Sequence, residues 1–316
     1  PALYYACGND ETSDRLVFTA LKEARFRERR GGVTPDTVVE PGRIVHEMRL
    51  VKDGEELATM RRAAAISDAG HVAAMRATKP GLYEYEIEAI IESAYRANGA
   101  QDVAYPSIVA GGSNATILHY NSNRDRLRAG DLLLVDSGCE LDLYASDVTR
   151  TWPVSGRFSA EQRALYEIVL AAQTAAIDEV RPGKAFNAYH DKAVDVLTDG
   201  LLDLGLLKGS RQENIEQKKY RDFYPHSTGH WIGLDVHDVG RYKGPSGEYR
   251  ALASGMVLTV EPGIYVQNDL DCDERFKGIG IRIEDDVLCT AEGPDVLTAR
   301  IPKAIADVEA IVGARA

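Results

Sequence analysis

"LLLVDSGCELDLYASDVTRTWPV", residues 132–154, decides how this chain is read. Leu132 to Val135 reads as the middle of a buried strand, yet it runs straight into Asp136. A second aspartate, Asp147, stands eleven residues further on, in the next apolar stretch. Burying a bare carboxylate costs several kcal/mol unless it is paired or binds a metal. Two of them, on what read as two hairpin-linked strands, need a shared reason.

The pattern returns later in the chain. "AGDLLLVD" (129–136) aligns with "SGMVLTVE" (254–261), each a glycine, a strand and a carboxylate six residues past the glycine. "SDVTRT" (146–151) aligns with "RIEDDVLCT" (282–290) and sets Asp147 opposite Glu284. "YPSIVAGGSNATILHYN" (105–121) aligns with "YPHSTGHWIGLDVHD" (224–238); both open Tyr-Pro and reach a histidine, His119 and His237. The helices repeat as well. Asp53 and Glu56 form a capping-box start. Leu57, Met60, Ala64, Val72 and Met75 follow at helical spacing until "TKPG" (78–81). A second helix is predicted over 83–98, closed by Gly99. Strands are expected over 103–154, then helices over 159–180 and 185–205, strands over 224–290, and a last helix over 302–312.

The expected fold class is therefore α+β, with two duplicated halves related by a pseudo-two-fold. That symmetry brings Asp136 and Asp147 of one half to Glu261 and Glu284 of the other. Like charges at short range raise one another's pKa, so four convergent carboxylates cannot all stay ionised without cations. Two divalent ions neutralise them, as in two-metal sites with ions ~3.5–4 Å apart. Four of the seven histidines (His119, His226, His230, His237) lie in the aligned regions. The oxygen-rich set favours a hard ion such as Mn²⁺, with Co²⁺ or Zn²⁺ able to substitute. Taken singly, each residue has a plainer reading. Asp136 could end a strand at a turn, Glu261 could be solvated before Pro262-Gly263, Glu284 could pair with Arg282, and His230 could be a core histidine. Those readings together leave the matched order and spacing unexplained.

These stretches, with "VHEMRLVKDGEE" (45–56), "HSTGHWIGLDVHDVG" (226–240), "GMVLTVEPGIYV" (255–266) and "GIGIRIEDDVLCT" (278–290), resemble the pita-bread metallopeptidases, most closely the Xaa-Pro aminopeptidases. The resemblance covers about residues 43–312. It implies a curved, mostly antiparallel sheet with helices on its outer face. It implies five metal ligands: Asp136 on one ion, Asp147 and Glu284 bridging, His230 and Glu261 on the other. A metal-bridging hydroxide would be the nucleophile and Glu261 the proton carrier. His226 and His237 would face the scissile carbonyl, His119 would line the pocket, and Arg282 would orient a carboxylate. Tyr265 and Arg150 are weaker candidates for such support. The implied substrates are peptides with proline in second position. The proline nitrogen must be protonated as it leaves, so a general acid within hydrogen-bond reach is required. A homo-oligomer, dimer or tetramer, is compatible with the family. Residues 1–42 are read as the remnant of an N-terminal domain and linker, and 43–316 as the catalytic domain.

Bulk properties narrow the alternatives. Lys+Arg 37 against Asp+Glu 49 gives a net charge of −12, which argues against a nucleic-acid partner. No apolar run approaches the ~20 residues of a membrane span. The four cysteines form no C-x-x-C pair and suit a reducing compartment, expected to be the cytoplasm. "RFRERR" (25–30) reads as a solvated helix face, and Trp231 as core packing or a substrate wall. "GIGIRIE" precedes a strand and not a helix, which rules out a nucleotide loop. Competing functions are prolidase, methionine aminopeptidase, creatinase-like hydrolysis and a non-catalytic binding module. The intact ligand set disfavours the last two.

Overall fold

In the computed structural model, which describes residues 1–313, the first strands form a small parallel pair. These are β1 (Ala2–Tyr4) and β2 (Thr37–Val39), with α1 (Glu11–Arg27) between them and α2 (Gly42–Leu50) after them. Asp10 caps α1 by accepting from the Ser13 N–H. Residues Pro1–Arg49 form one compact unit and the chain from Leu50 onward a second.

The second unit runs α3 (Gly54–Ala77), α4 (Glu84–Ala97), β3 (Asp102–Val103), β4 (Ile108–Gly111), β5 (Leu132–Asp136), β6 (Cys139–Leu141), β7 (Tyr144–Ala145) and β8 (Thr149–Pro153). It continues α5 (Ala160–Ile177), α6 (Ala188–Asp203), α7 (Arg211–Glu216), β9 (Val257–Val260), β10 (Gly263–Tyr265), β11 (Gly280–Arg282), β12 (Asp285–Thr290), β13 (Gly293–Val296) and α8 (Ile305–Ile311). The capping box expected at Asp53 and Glu56 starts α3. The duplicated plan is present. An antiparallel sheet β4-β5-β8 follows the α3–α4 pair, and an antiparallel sheet β13-β12-β9 follows the α5–α6 pair. Among the described residues no helix is long and apolar enough to cross a membrane.

The unbroken apolar run in β5 has a packing cause. Leu133 and Val135 meet Met75, Ile87, Ile91 and Tyr95 of α3 and α4. Leu132 and Leu134 meet Leu165 and Val169 of α5 and Ile264 and Ile281 of β10 and β11. A strand covered on both faces carries no polar alternation. Strand parity then sets Asp136 on the face of Leu132 and Leu134, toward the second half. The halves are stitched there: the Glu284 N–H donates to the Thr149 carbonyl at 3.0 Å, and Thr151 Oγ1 donates to the Arg282 carbonyl at 3.0 Å.

Two expectations need correction. Residues 132–154 hold four strands and not two. The hairpin β6–β7 is inserted between β5 and β8, turning at Asp142 and Leu143 with φ of 50° and 71°. Gly138 permits the fold-back, since a Cβ there would lie 1.7 Å from the Ser146 carbonyl oxygen. Second, strands do not fill 224–290. From 224 to 256 there are only isolated bridges, at Trp231, at Lys243 with Tyr249, at Ala251 and at Met256. Local polar groups take over part of the ladder, as where Thr259 Oγ1 accepts from the His230 N–H.

Behind the sheets lies a buried charge cluster. Asp285 accepts from Arg150 at 2.6 Å, Gln173 at 2.6 Å and Thr298 at 2.7 Å, and also pairs with Lys303. Burial alone would raise its pKa, but Arg150 and Lys303 overcome this and hold it at about 2. A depressed carboxylate stabilises the fold above its unfolded pKa. Asp285 should therefore contribute about 2 kcal/mol above pH ~4, lost as pH falls through ~2. Asp285→Asn should cost about 3–5 kcal/mol at neutral pH, because the buried Arg150 and the half-buried Lys303 lose their counter-charge. Urea unfolding checks both, and the variant should show a flatter stability profile below pH ~4 than the parent.

Candidate metal centre

The ends of the paired strands deliver the carboxylates. Asp136 is the last residue of β5 and lies opposite Thr149 of β8. Glu261 directly follows β9, and Glu284 directly precedes β12. Asp147 lies in the link between β7 and β8, its N–H donating to the buried carboxyl of Asp286 at 3.1 Å. All four line one cavity of about 670 Å³, together with His119, His226, His230, His237 and Arg282. The carboxylates, histidines and Arg282 singled out in the sequence therefore face the same space. Asp147, His230 and Glu284 come close enough for one ligand atom from each to hold a metal ion, within 4.8 Å of one another. Asp136 and Glu261 stand outside that tight group, on either side of it.

Asp136 is tied to its neighbours by Arg282, whose guanidinium donates to it at 2.6 Å. The Tyr105 hydroxyl lies 2.6 Å from Asp136 and within hydrogen-bond distance of Asp147 too. One hydroxyl proton cannot serve two carboxylates, so a further proton or a cation is needed between them. The remaining groups agree. Burial pushes Asp136 up, opposed by Arg282 and reinforced by Asp147. Burial, then Asp147, Glu261 and Asp136, raises Glu284 well above the usual carboxylate range. Burial brings Glu261 to about 7, with His230 and Arg282 pulling the other way. The arginine thus falls short of neutralising the group.

The histidines differ in their freedom. His230 Nδ1 donates to the Trp231 carbonyl at 3.0 Å, which leaves Nε2 aimed at Asp147 (3.4 Å) and Glu261 (3.8 Å). Burial disfavours its cation, but the two carboxylates overcome this and raise it to about 9. His226 has both nitrogens engaged, Nδ1 with the Ser227 carbonyl and Nε2 with the Tyr265 hydroxyl, each at 2.8 Å. Its Nδ1 is 3.7 Å from Glu261, but burial and Arg282 push the ring down to about 3, so the contact is between a neutral imidazole and the acid. His237 stands edge-on to His230, ring centroids 4.3 Å apart. His119 reaches the cavity from an exposed loop.

Sequence reasoning passed over several participants. Tyr105 heads the first of the two Tyr-Pro repeats, and the repeat was its only signal. Thr149 donates to Glu284 at 2.6 Å and accepts from Arg282 at 3.1 Å. His190 of α6 lines the cavity, its Nδ1 2.8 Å from Thr228 Oγ1. Tyr265 accepts from Arg282 at 2.9 Å, as a supporting residue should. Arg150 is fully buried and does not line the cavity; it bonds the Thr149 carbonyl and that of Glu284 from behind. Trp231 is core, packed on Phe186 and stacked on Tyr242.

Residues 58–291 match the model of metallopeptidase family M24. Over 266 residues the chain is 50% identical to an Xaa-Pro aminopeptidase of Haemophilus influenzae, covering 84% of this chain and 61% of that relative. It is 42% identical over 310 residues to the Xaa-Pro aminopeptidase of Escherichia coli, covering 98% and 70%. The fold superimposes on the aminopeptidase PepP of Pseudomonas aeruginosa with a TM-score of 0.95 at 46% identity, covering 98% of this chain and 70% of that one. A zinc-substituted Escherichia coli aminopeptidase P in complex with product gives a TM-score of 0.93 at 42% identity, with coverage of 98% and 70%.

A divalent cation entering this group must displace protons, because its ligands bind in their deprotonated forms. At pH 7 His230, raised to about 9, holds a proton and Glu261, at about 7, is about half protonated, while Glu284 is shifted toward its protonated form. Binding of Mn²⁺ or Co²⁺ to metal-free protein should thus release at least about one proton at pH 7, and fewer as pH rises. Titration calorimetry in buffers of different ionisation heat reads this directly. No proton release at pH 7 would contradict the ligand geometry.

Proposed function

The chain belongs to metallopeptidase family M24, and from that premise we propose that it is a dinuclear-metal aminopeptidase cleaving the N-terminal residue from peptides with proline in second position. The observation that carries this reading is the convergence of Asp136, Asp147, His230, Glu261 and Glu284 on one cavity. The relatives named Xaa-Pro aminopeptidase support the substrate class. The catalytic domain is assigned to residues 43–316, which include every cavity residue discussed above.

Asp136, Asp147 and Glu284 would hold one ion, and Asp147, Glu284, His230 and Glu261 the other, with Mn²⁺ favoured by the oxygen-rich set. Such a pair supplies a hydroxide nucleophile near neutral pH and polarises the scissile carbonyl. The protein groups do the rest. Glu261 can take a proton from the nucleophile and pass it to the departing proline nitrogen. His237, whose cation burial disfavours, can donate to the developing oxyanion. Arg282 and Tyr105 fix Asp136 in direction. The Tyr265 hydroxyl holds His226 in one orientation against the cavity wall. The free thiols of Cys7, Cys139, Cys272 and Cys289 support a cytoplasmic location.

Prolidase chemistry would use the same groups on Xaa-Pro dipeptides alone. Metal-loaded protein should cleave Xaa-Pro-Xaa tripeptides, spare a non-proline control and hardly touch the dipeptide; cleavage of the dipeptide alone would reverse the assignment. Asp147→Asn should abolish turnover with the fold retained, since it removes a bridging charge. His237→Ala should lower kcat roughly 10²–10³-fold while elemental analysis shows full metal content. Loss of metal in that variant would make His237 a ligand.

A further inference from the structure

His237 is carried by the stretch with the least regular structure in the second unit, where only isolated bridges connect Tyr224 to Met256. Its neighbour Asp238 supplies what the sheet does not. Asp238 Oδ2 lies 3.3 Å from Lys52 Nζ, and both side chains are 1% exposed. Oδ1 accepts from the Val239 N–H at 2.8 Å, and the Asp238 N–H donates to the Trp231 carbonyl at 2.9 Å. The turn closes tightly on this pair. A Cβ at Gly233 would lie 2.3 Å from Asp238 Oδ2 and 2.9 Å from Lys52 Nζ, so only glycine passes there. Lys52 is itself anchored. Its N–H donates to the Gly255 carbonyl at 2.8 Å, and the next residue, Asp53, caps α3.

A fully buried ion pair is a weak source of stability, because desolvation offsets the attraction. Its geometry is what it contributes. We infer that Lys52 is a positioning residue for His237: through Asp238 it fixes the 233–238 turn, and with it the direction in which the His237 imidazole enters the cavity. Lys52 lies outside the cavity lining and 185 positions before His237 in the chain. The kinetic part of this inference rests on the catalytic role proposed for His237; the geometric part does not.

The test is a double-mutant cycle with an independent probe of His237. Lys52→Met is made alone and with His237→Ala. Lys52→Met/Asp238→Asn is made in parallel, since it removes the charge of both members of the pair if the single variant folds poorly. In the parent background either change should lower kcat roughly 10- to 100-fold, the usual cost of a small misplacement. KM and metal content should stay near the parent values. In the His237→Ala background the same change should cost less than about 3-fold, because residues acting through one another are not additive. Diethyl pyrocarbonate labelling read by mass spectrometry should show faster modification of His237, with His71 and His190 unchanged. An undiminished kcat penalty in the His237→Ala background, or unchanged labelling of His237, overturns the inference. Faster labelling of His237 with unchanged kcat supports the positioning and overturns instead the catalytic role given to His237.

Discussion

Four carboxylates, two buried and two half-buried, face one another across a cavity whose described lining holds one arginine, Arg282. Their mutual repulsion is the constraint around which the second unit is built. Nothing within the group holds it together; Asp136, Glu261 and Glu284 are all pushed up because ionising together is unfavourable. The force that keeps them there comes from elsewhere. Apolar burial of α3 and α4 on one face of β5, and of α5 on the other, fixes the strand whose end is Asp136. The bond from Glu284 N–H to the Thr149 carbonyl fixes the two halves in register at the same point. A cation that enters relieves the repulsion, so metal binding and fold stability are linked.

The two buried arginines divide the support between them. Arg282 works inside the cavity, where it binds Asp136, Tyr265 and Thr149 in one fan. Arg150 works behind the sheet, where it holds the carbonyls of Thr149, Glu284 and Ile301 and the carboxylate of Asp285. Thr149 and Glu284 are therefore gripped from both sides. A planar guanidinium with five donors suits that task; a lysine would leave several of these carbonyls without a partner.

What could be read from the sequence was what repeats or recurs at short range. The doubled glycine–strand–carboxylate pattern gave Asp136 and Glu261, and helical spacing gave α3 to α6 to within a few residues. The β6–β7 hairpin escaped notice because its turn, Asp142-Leu143, lacks the Asn-Gly or Asp-Gly pair that marks such turns. The stretch from 224 to 256 reads as strand through its alignment with 105–121, but part of its backbone is satisfied by side chains and isolated bridges. Tyr105, Thr149 and Lys52 could not be assigned locally. Each acts on a partner 31 to 186 positions away, and only the tertiary fold brings the partners together.

The halves are alike in backbone and unlike in chemistry, and the difference follows from single residues. On the alignment that pairs Asp147 with Glu284, Arg282 corresponds to Ala145, which is buried and apolar. The arginine at this position of the second half therefore reaches across to Asp136 of the first. Glu261, the counterpart of Asp136, has no such bond, and its nearest cation-capable neighbours are His226 and His230 at 3.7 and 3.8 Å. Asp136 is thereby committed to a fixed guanidinium, whereas burial raises Glu261 to about 7 in the metal-free protein. A symmetric duplication would give two equivalent carboxylates, each half-neutralised. An arginine at this position in one half only gives Asp136 and Glu261 different surroundings, and the proposed division between an anchored carboxylate and a proton carrier rests on that difference.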